Sequence, residues 1–204
     1  MRMWQRFWQL PIFSTLLVLI NLVVFCMDFI SGFELQYLGG MQKTAVLQYG
    51  EYGRLLWAMF LHADAAHLFN NMIILFFLGA MLEKEVGHIW LPAVYFLSGI
   101  GGNILSLAVK VAEKSEAITI GASGAVFGLD GLLLMLVLLS PKFRDTATPA
   151  RVILMILLSI YDGFYGQNVD NAAHIGGLLV GILMGLMYMF IQRIKNRKYG
   201  EVQA

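Results

Sequence analysis

Charge is scarce in this chain of 204 residues: Asp, Glu, Lys and Arg together make up 13%, and their signs nearly cancel to a net +1. An ordinary soluble domain carries about 25% charged residues, so that class is excluded. A balance so close to zero, with no basic stripe, also gives no footing for a nucleic-acid partner. Cysteine is reduced to Cys26, which rules out an intrachain disulfide and any cysteine metal cluster. The chain also has no HExxH-type spacing, no internal repeat, no low-complexity tract and no sign of a second domain.

Apolar residues fill the place left by charge. Hydrophobic residues reach 59% and the mean hydropathy is +0.72, the composition of an integral membrane protein. Residues 11–30 form the first apolar run, preceded by Arg2, Trp4, Arg6 and Trp8, the cations and aromatics of a headgroup boundary. The run is long for a signal peptide and ends in MDFISGF without an Ala-x-Ala-like cleavage site, so it reads as a retained anchor. Residues 31–66 mix glycines, aromatics and short apolar clusters that never reach spanning length, the texture of a long outer loop partly sunk in the membrane. Five further spans follow at about 67–83, 89–110, 119–140, 151–166 and 172–192, and a basic tail occupies 193–204. The predicted fold is all-α: one polytopic membrane domain over residues 1–204, a bundle of six transmembrane helices.

Six spans put both termini on one side, and the distribution of cations selects it. With the termini in the cytoplasm, Arg2, Arg6, Lys84, Lys142, Arg144, Arg151, Arg193, Lys195, Arg197 and Lys198 are inside, against Lys43, Arg54, Lys110 and Lys114 outside. Spans two, four and six then all run inward. Counting at 1.5 Å per residue from Glu83, Ser140 and Gln192 places His67, Ser123 and His174 about 24, 26 and 27 Å above the cytoplasmic side. Three polar residues from three spans therefore share one level, just below the outer face of a hydrocarbon core about 30 Å thick.

Helix faces add the lateral argument. Gly177, Gly181 and Gly185 lie on nearly the face of His174, and Gly124, Gly128 and Gly131 form a stripe beside Ser123. Small residues at this spacing let membrane helices pack backbone to backbone, so spans four and six are the expected pair. Ser123 stands between Ala122 and Gly124 at a helix start, where free N–H groups and the positive dipole end favour a developing oxyanion. A serine there is otherwise a packing residue. The pairing with His174 gives it a base, and ionisable groups at this depth are costly and usually functional.

His67 and Asn71 share one face of span two, where an imidazole N–H and a carboxamide can point at one oxygen. The bland reading of His67, Asn70 and Asn71 is a polar cap on that span. A zinc site drawn from His62, Asp64, His67 and His174 lacks the usual ligand spacing, and His62 and Asp64 fall in the loop. Asp130, seven residues after Ser123, is about 10 Å deeper, out of reach of a catalytic triad, and reads as a buried structural hydrogen-bonding residue. Asp170 and Asn171 read as caps of span six, which leaves a dyad.

Over residues 11–192 these motifs, in this order and on these spans, resemble the rhomboid intramembrane serine proteases in their compact six-span prokaryotic form. Gly121 to Gly124 is similar to the family's Gly-x-Ser-Gly, Ala173 to Gly177 to its Ala-His-x-x-Gly, and His67 to Asn71 to its His-x-x-x-Asn. Arg54 resembles the arginine of the first outer loop and Glu83 the glutamate at the inner end of span two. Phe127 stands where a tyrosine is frequent, and Gly53 where an aromatic precedes the arginine. The resemblance implies a six-span rhomboid-like bundle in a prokaryotic plasma membrane. In it Ser123 is the nucleophile, His174 the base and later the acid, and His67 and Asn71 the oxyanion donors. Gly121, Gly124, Phe127, Gly177, Gly181, Arg54 and Glu83 are its structural supports.

The implied reaction is peptide-bond hydrolysis in or near a substrate's transmembrane helix through an acyl-enzyme, with no metal or cofactor. Substrates carrying glycine, other small residues or proline near the cleavage site are expected, because that helix must unwind locally. Two rivals are a non-catalytic rhomboid-like protein that binds membrane helices or oversees their quality, and a transporter. A transporter's polar residues should cross the bilayer, whereas these collect near one face.

The charge asymmetry sets a test of orientation. In a Cys26→Ser background in intact cells, Gln36→Cys is expected to react with an impermeant maleimide from outside, and Gly200→Cys only after the cytoplasmic side is opened. The reverse pattern would invert the predicted topology.

Overall fold

The computed structural model describes residues 11–143, 147–165 and 169–200. The predicted interfacial residues Arg2, Trp4, Arg6 and Trp8, together with Arg144, lie outside the described residues. Among those described, the chain is helical with no β-strand, and an isolated antiparallel bridge joins Met41 to Thr119. Helix α1 spans Ile12–Ile30, and three short helices follow: α2 Glu34–Gly39, α3 Lys43–Leu47 and α4 Arg54–Trp57. A 3₁₀ turn, Ala58–Phe60, leads towards α5 Ala65–Val86, α6 Trp90–Glu113, α7 Ser123–Leu139, α8 Pro149–Tyr165 and α9 Asn171–Gly200.

Four of these helices, α1, α5, α6 and α9, are long and apolar enough to cross a membrane. The other two predicted spans are shorter apolar helices, Ser123–Leu139 and Pro149–Tyr161 within α8. This is the all-α, polytopic membrane architecture that the sequence predicts. The expected fourth span began at residue 119, but residues 119–122 lie outside the helix: Thr119 is held to Met41 by two backbone hydrogen bonds of 2.9 and 3.0 Å, and Gly121 turns the chain at φ +124°. The expected tail from residue 193 is likewise helical as far as Gly200. No proline or glycine interrupts residues 186–199, and Arg193, Lys195 and Arg197 are good helix formers that favour a helix C-terminus.

Helix α7 is the core. Every residue from Gly124 to Leu133 is buried, as befits a helix that is apolar all round and therefore needs protein on every side. Its neighbours α6 and α9 come very close. A methyl group on Gly177 would lie 1.9 Å from Gly124 O, and one on Gly181 would lie 2.0 Å from Gly128 O. Neither distance is possible for a real Cβ, so both positions require glycine. On the other side of α9, a methyl group on Gly102 of α6 would lie 2.5 Å from Ala173 O. Outer faces carry the apolar side chains that meet lipid, among them Leu19, Val23, Phe77 and Leu183.

Helix α1 buries chiefly polar residues, and its N-terminal attachment explains how it stays in place. Fully buried Glu83, near the C-terminal end of α5, accepts the Phe13 and Ser14 N–H groups at 2.9 Å each and the Ser14 hydroxyl at 2.7 Å. Glu83 also meets His88 Nδ1 at 2.6 Å. One carboxylate thus satisfies orphan donors of a helix start while tying α1, α5 and the start of α6 together. The loop between α1 and α5 exposes Tyr37, Leu38, Tyr49, Tyr52 and Trp57, the amphipathic residues a membrane interface takes up.

Two neighbouring glutamates should separate buried from exposed charge. Glu83→Ala removes the acceptor of several buried donors and is expected to cost about 3 kcal/mol. Glu85, paired with the exposed Lys142 Nζ at 2.7 Å, should cost less than about 1 kcal/mol as alanine. Unfolding in detergent measures both, and equal losses would contradict this account of α1.

Candidate active site

Ser123 is the first residue of α7 and His174 lies in the first turn of α9, so close packing of these two helices decides where both side chains meet. Ser123 Oγ and His174 Nε2 are 2.9 Å apart, a hydrogen bond. His174 is 8% exposed, and its Nδ1 has no hydrogen-bond partner among the described residues. No carboxylate therefore orients the ring from behind. Phe127, one turn into α7, stacks on it instead, with ring centroids 4.3 Å apart and planes inclined by 14°. Asp130 is buried, and among the described residues the structural hydrogen bond expected of it is missing at Oδ1.

The approach to Ser123 is made by Gly121 at φ +124°, a conformation that L side chains rarely adopt. Its N–H donates to Ala58 O at 2.8 Å, which seats the turn on the loop between α1 and α5. A methyl group here would lie 2.7 Å from His67 Cε1, 2.8 Å from His67 Nε2 and 3.7 Å from Ser123 Oγ. The bare Cα of Gly121 therefore sits between His67 and the serine. Asn71 is 5% exposed, and its Nδ2 donates to His67 O one turn back at 3.0 Å. A carboxamide carries two N–H donors, so one remains for another acceptor.

Asp64, read with His62 as a loop residue, caps α5: its Oδ1 accepts the His67 N–H at 2.8 Å. His62 is a residue whose role the sequence reading missed. It is fully buried, its ring meets that of His67 edge-on at 5.0 Å, and its Nε2 accepts the Ala122 N–H at 3.4 Å. Burial pushes its pKa down to about 3, helped by neighbouring His67 and opposed by a hydrogen bond to Phe60 and by Asp64. The ring is thus a neutral acceptor supporting the backbone just before Ser123. The only hint in the sequence was a second histidine five residues before His67, with nothing to say that it would be buried.

Arg54 carries the loop between α1 and α5. Its Nη1 donates to Tyr37 O at 2.7 Å and to Gly40 O at 2.9 Å, and its Nε pairs with Glu51 at 2.5 Å. Gly53 leaves that anchoring intact. Glu116 adds a second tie, accepting from Thr44 Oγ1 at 2.9 Å and Lys43 Nζ at 2.8 Å.

A family model of the Rhomboid domain matches residues 49–190, a range containing Arg54, His67, Asn71, Glu83, Ser123 and His174. The chain belongs to the rhomboid family. It is 36% identical over 157 residues to RHOMBOID-like protein 5 of Arabidopsis thaliana, covering 76% of this chain and 50% of that one. Rhomboid protease GluP of Bacillus subtilis (strain 168) is 31% identical over 175 residues, 84% of this chain and 34% of its own. The putative rhomboid protease YdcA of the same bacterium is 33% identical over 150 residues, 74% of this chain and 72% of its own. This rhomboid chain spans about half the length of the Arabidopsis relatives it matches.

Gly121 offers the sharpest test of the site's geometry. Gly121→Ala places a side chain at positive φ and against His67, and is expected to cost about 1 to 3 kcal/mol of stability in detergent. A variant as stable as wild type would show that the turn can relax.

Proposed function

We infer that this rhomboid chain is an intramembrane serine endopeptidase, and the observation carrying that reading is the 2.9 Å contact between Ser123 Oγ and His174 Nε2 at the start of a buried helix. The hydroxyl oxygen attacks the carbonyl carbon of a peptide bond while His174 Nε2 takes its proton. The oxygen that becomes negative lies against the Ser123 N–H and the positive end of α7, with His67 and Asn71 as side-chain donors. Collapse of the tetrahedral intermediate breaks the C–N bond, and His174 returns the proton to the leaving amine. Water, deprotonated by the same ring, then releases the acyl group from Ser123.

Several features support this reading beyond the dyad. Gly121 keeps the approach between His67 and Ser123 open, and Phe127 fixes the plane of the base. Two of the Bacillus relatives are named as rhomboid proteases, one of them putative. By the cation distribution, the site opens near the outer face with both termini in the cytoplasm, and the resemblance to the compact prokaryotic rhomboids implies a prokaryotic plasma membrane. Its substrates are membrane proteins whose spanning helices carry small or helix-destabilising residues near the cleavage point, since a carbonyl bonded within an intact helix is closed to attack.

Purified protein incubated with a generic transmembrane substrate and a fluorophosphonate tests the assignment. Ser123→Ala and His174→Ala should each abolish cleavage in a protein that remains folded, and Ser123→Ala should abolish labelling. His67→Ala or Asn71→Ala should lower kcat by up to about 10² to 10³, with KM little changed. Labelling that survives Ser123→Ala would remove Ser123 as nucleophile. A folded wild type that binds helices yet neither cleaves nor labels would favour the non-catalytic rhomboid-like alternative.

A further inference from the structure

Asp170, which the sequence presents only as a helix cap, holds together more than its own helix. Its Oδ1 accepts the Ala173 N–H at 3.0 Å and its backbone O accepts the His174 N–H at 3.2 Å, which fixes the first turn of α9. Its Oδ2 accepts from Ser106 Oγ of α6 and from Thr119 Oγ1, each at 2.5 Å, and Lys110 Nζ lies 3.6 Å away. Ser106 is 1% and Thr119 6% exposed, so these hydroxyls are out of competition from water. Thr119 belongs to the extended segment that is bridged to Met41 and runs through Gly121 into Ser123.

The register of these contacts carries the argument. Thr119 stands four residues before Ser123, and Asp170 stands four residues before His174. A bond between the two earlier residues therefore joins, side by side, the chain segments that deliver the two dyad residues. The glycine stripes fix how close α7 and α9 come, but two helices touching through bare backbone can still slide along one another. A carboxylate reaching from the start of α9 to the segment before α7 opposes that slide. Burial raises the Asp170 carboxyl, but the Ser106, Thr119 and Ala173 donors and the Lys110 charge outweigh it and hold the pKa below the usual carboxylate value. The group thus stays an anion, able to accept at both oxygens.

We propose that Asp170 is a positioning residue of the site, acting with Ser106 and Thr119 as a clamp that sets the approach of His174 to Ser123. It touches no reacting atom. The inference rests on the protease reading of the dyad, and its test keeps the two apart.

The decisive variants are conservative. Thr119→Val keeps the shape and loses the hydroxyl, whereas Thr119→Ser keeps the hydroxyl and loses the methyl group. Asp170→Asn keeps an oxygen for the Ala173 N–H and replaces the other with a donor. Thr119→Val and Asp170→Asn should each lower kcat about tenfold to a hundredfold per folded molecule, as small misplacements of reacting groups do, and leave KM near wild type. Fluorophosphonate labelling of Ser123 should slow in parallel. Thr119→Ser should keep most activity, and Thr119→Val combined with Asp170→Asn should lose little more than either alone.

Hydrogen exchange supplies a readout independent of turnover: Asp170→Asn should quicken exchange both in residues 119–123 and in the first turn of α9. Wild-type kcat, labelling and exchange in Thr119→Val and Asp170→Asn would overturn the clamp while the Ser123→Ala control upholds the protease reading. Losses shared equally by Thr119→Ser would also overturn it, by showing that shape matters and the hydroxyl does not. A wild type without cleavage or labelling would overturn the protease reading instead, and exchange alone would then judge whether the two segments are joined.

Discussion

Backbone-to-backbone contact between α7 and α9 is the constraint on which the rest of this structure depends. In water a helix pair gains from covering apolar side chains, but lipid is as apolar as leucine and offers no such gain. Association must come from fit, and fit is closest where side chains are absent. A methyl group on Gly177 or on Gly181 would run into the backbone of Gly124 or of Gly128. That proximity allows the short side chains of Ser123 and His174 to meet directly, although one opens its helix and the other lies a turn inside the next.

Contact between helices fixes distance but leaves several irregular segments to be held, and buried polar groups do that. Glu83 gathers the start of α1. Arg54 and Glu116 fasten the loop between α1 and α5, and the Met41 backbone carries that fastening to the segment before Ser123. His62 supports the same segment from beneath. In each case a charged or aromatic side chain meets backbone groups that no helix satisfies. At membrane depth such groups must be satisfied from within the protein.

The helices and the level of the polar cluster were legible because they follow from composition and from 1.5 Å per residue, quantities that need no knowledge of neighbours. The pairing of α7 with α9 was legible for a similar reason, since a stripe of glycines has few uses other than close approach. What escaped were roles set by geometry off the helix axis. Asp64 and Asp170 each precede a helix, yet nothing in the order of residues says that the first stops at capping while the second also reaches α6 and the loop. The start of α7 at Ser123, rather than four residues earlier, depends on a bridge to a residue 78 positions away, Met41 to Thr119. Asp130 shows the converse: a polar residue deep in a helix invites a partner, and at Oδ1 none is there among the described residues.

The ring of Phe127 has a consequence for the bookkeeping of protons. A tyrosine at that place would lay a hydroxyl near the imidazole, a second group able to pass a proton on. Phenylalanine has nothing to exchange, and among the described residues the far nitrogen of His174 meets no acceptor. On the proposed mechanism, a proton lifted from Ser123 therefore stays on Nε2, the atom that took it, until it passes to the departing amine or returns to the serine oxygen. The base works as a dead-end store rather than a relay, and each proton it takes must leave by the side on which it entered.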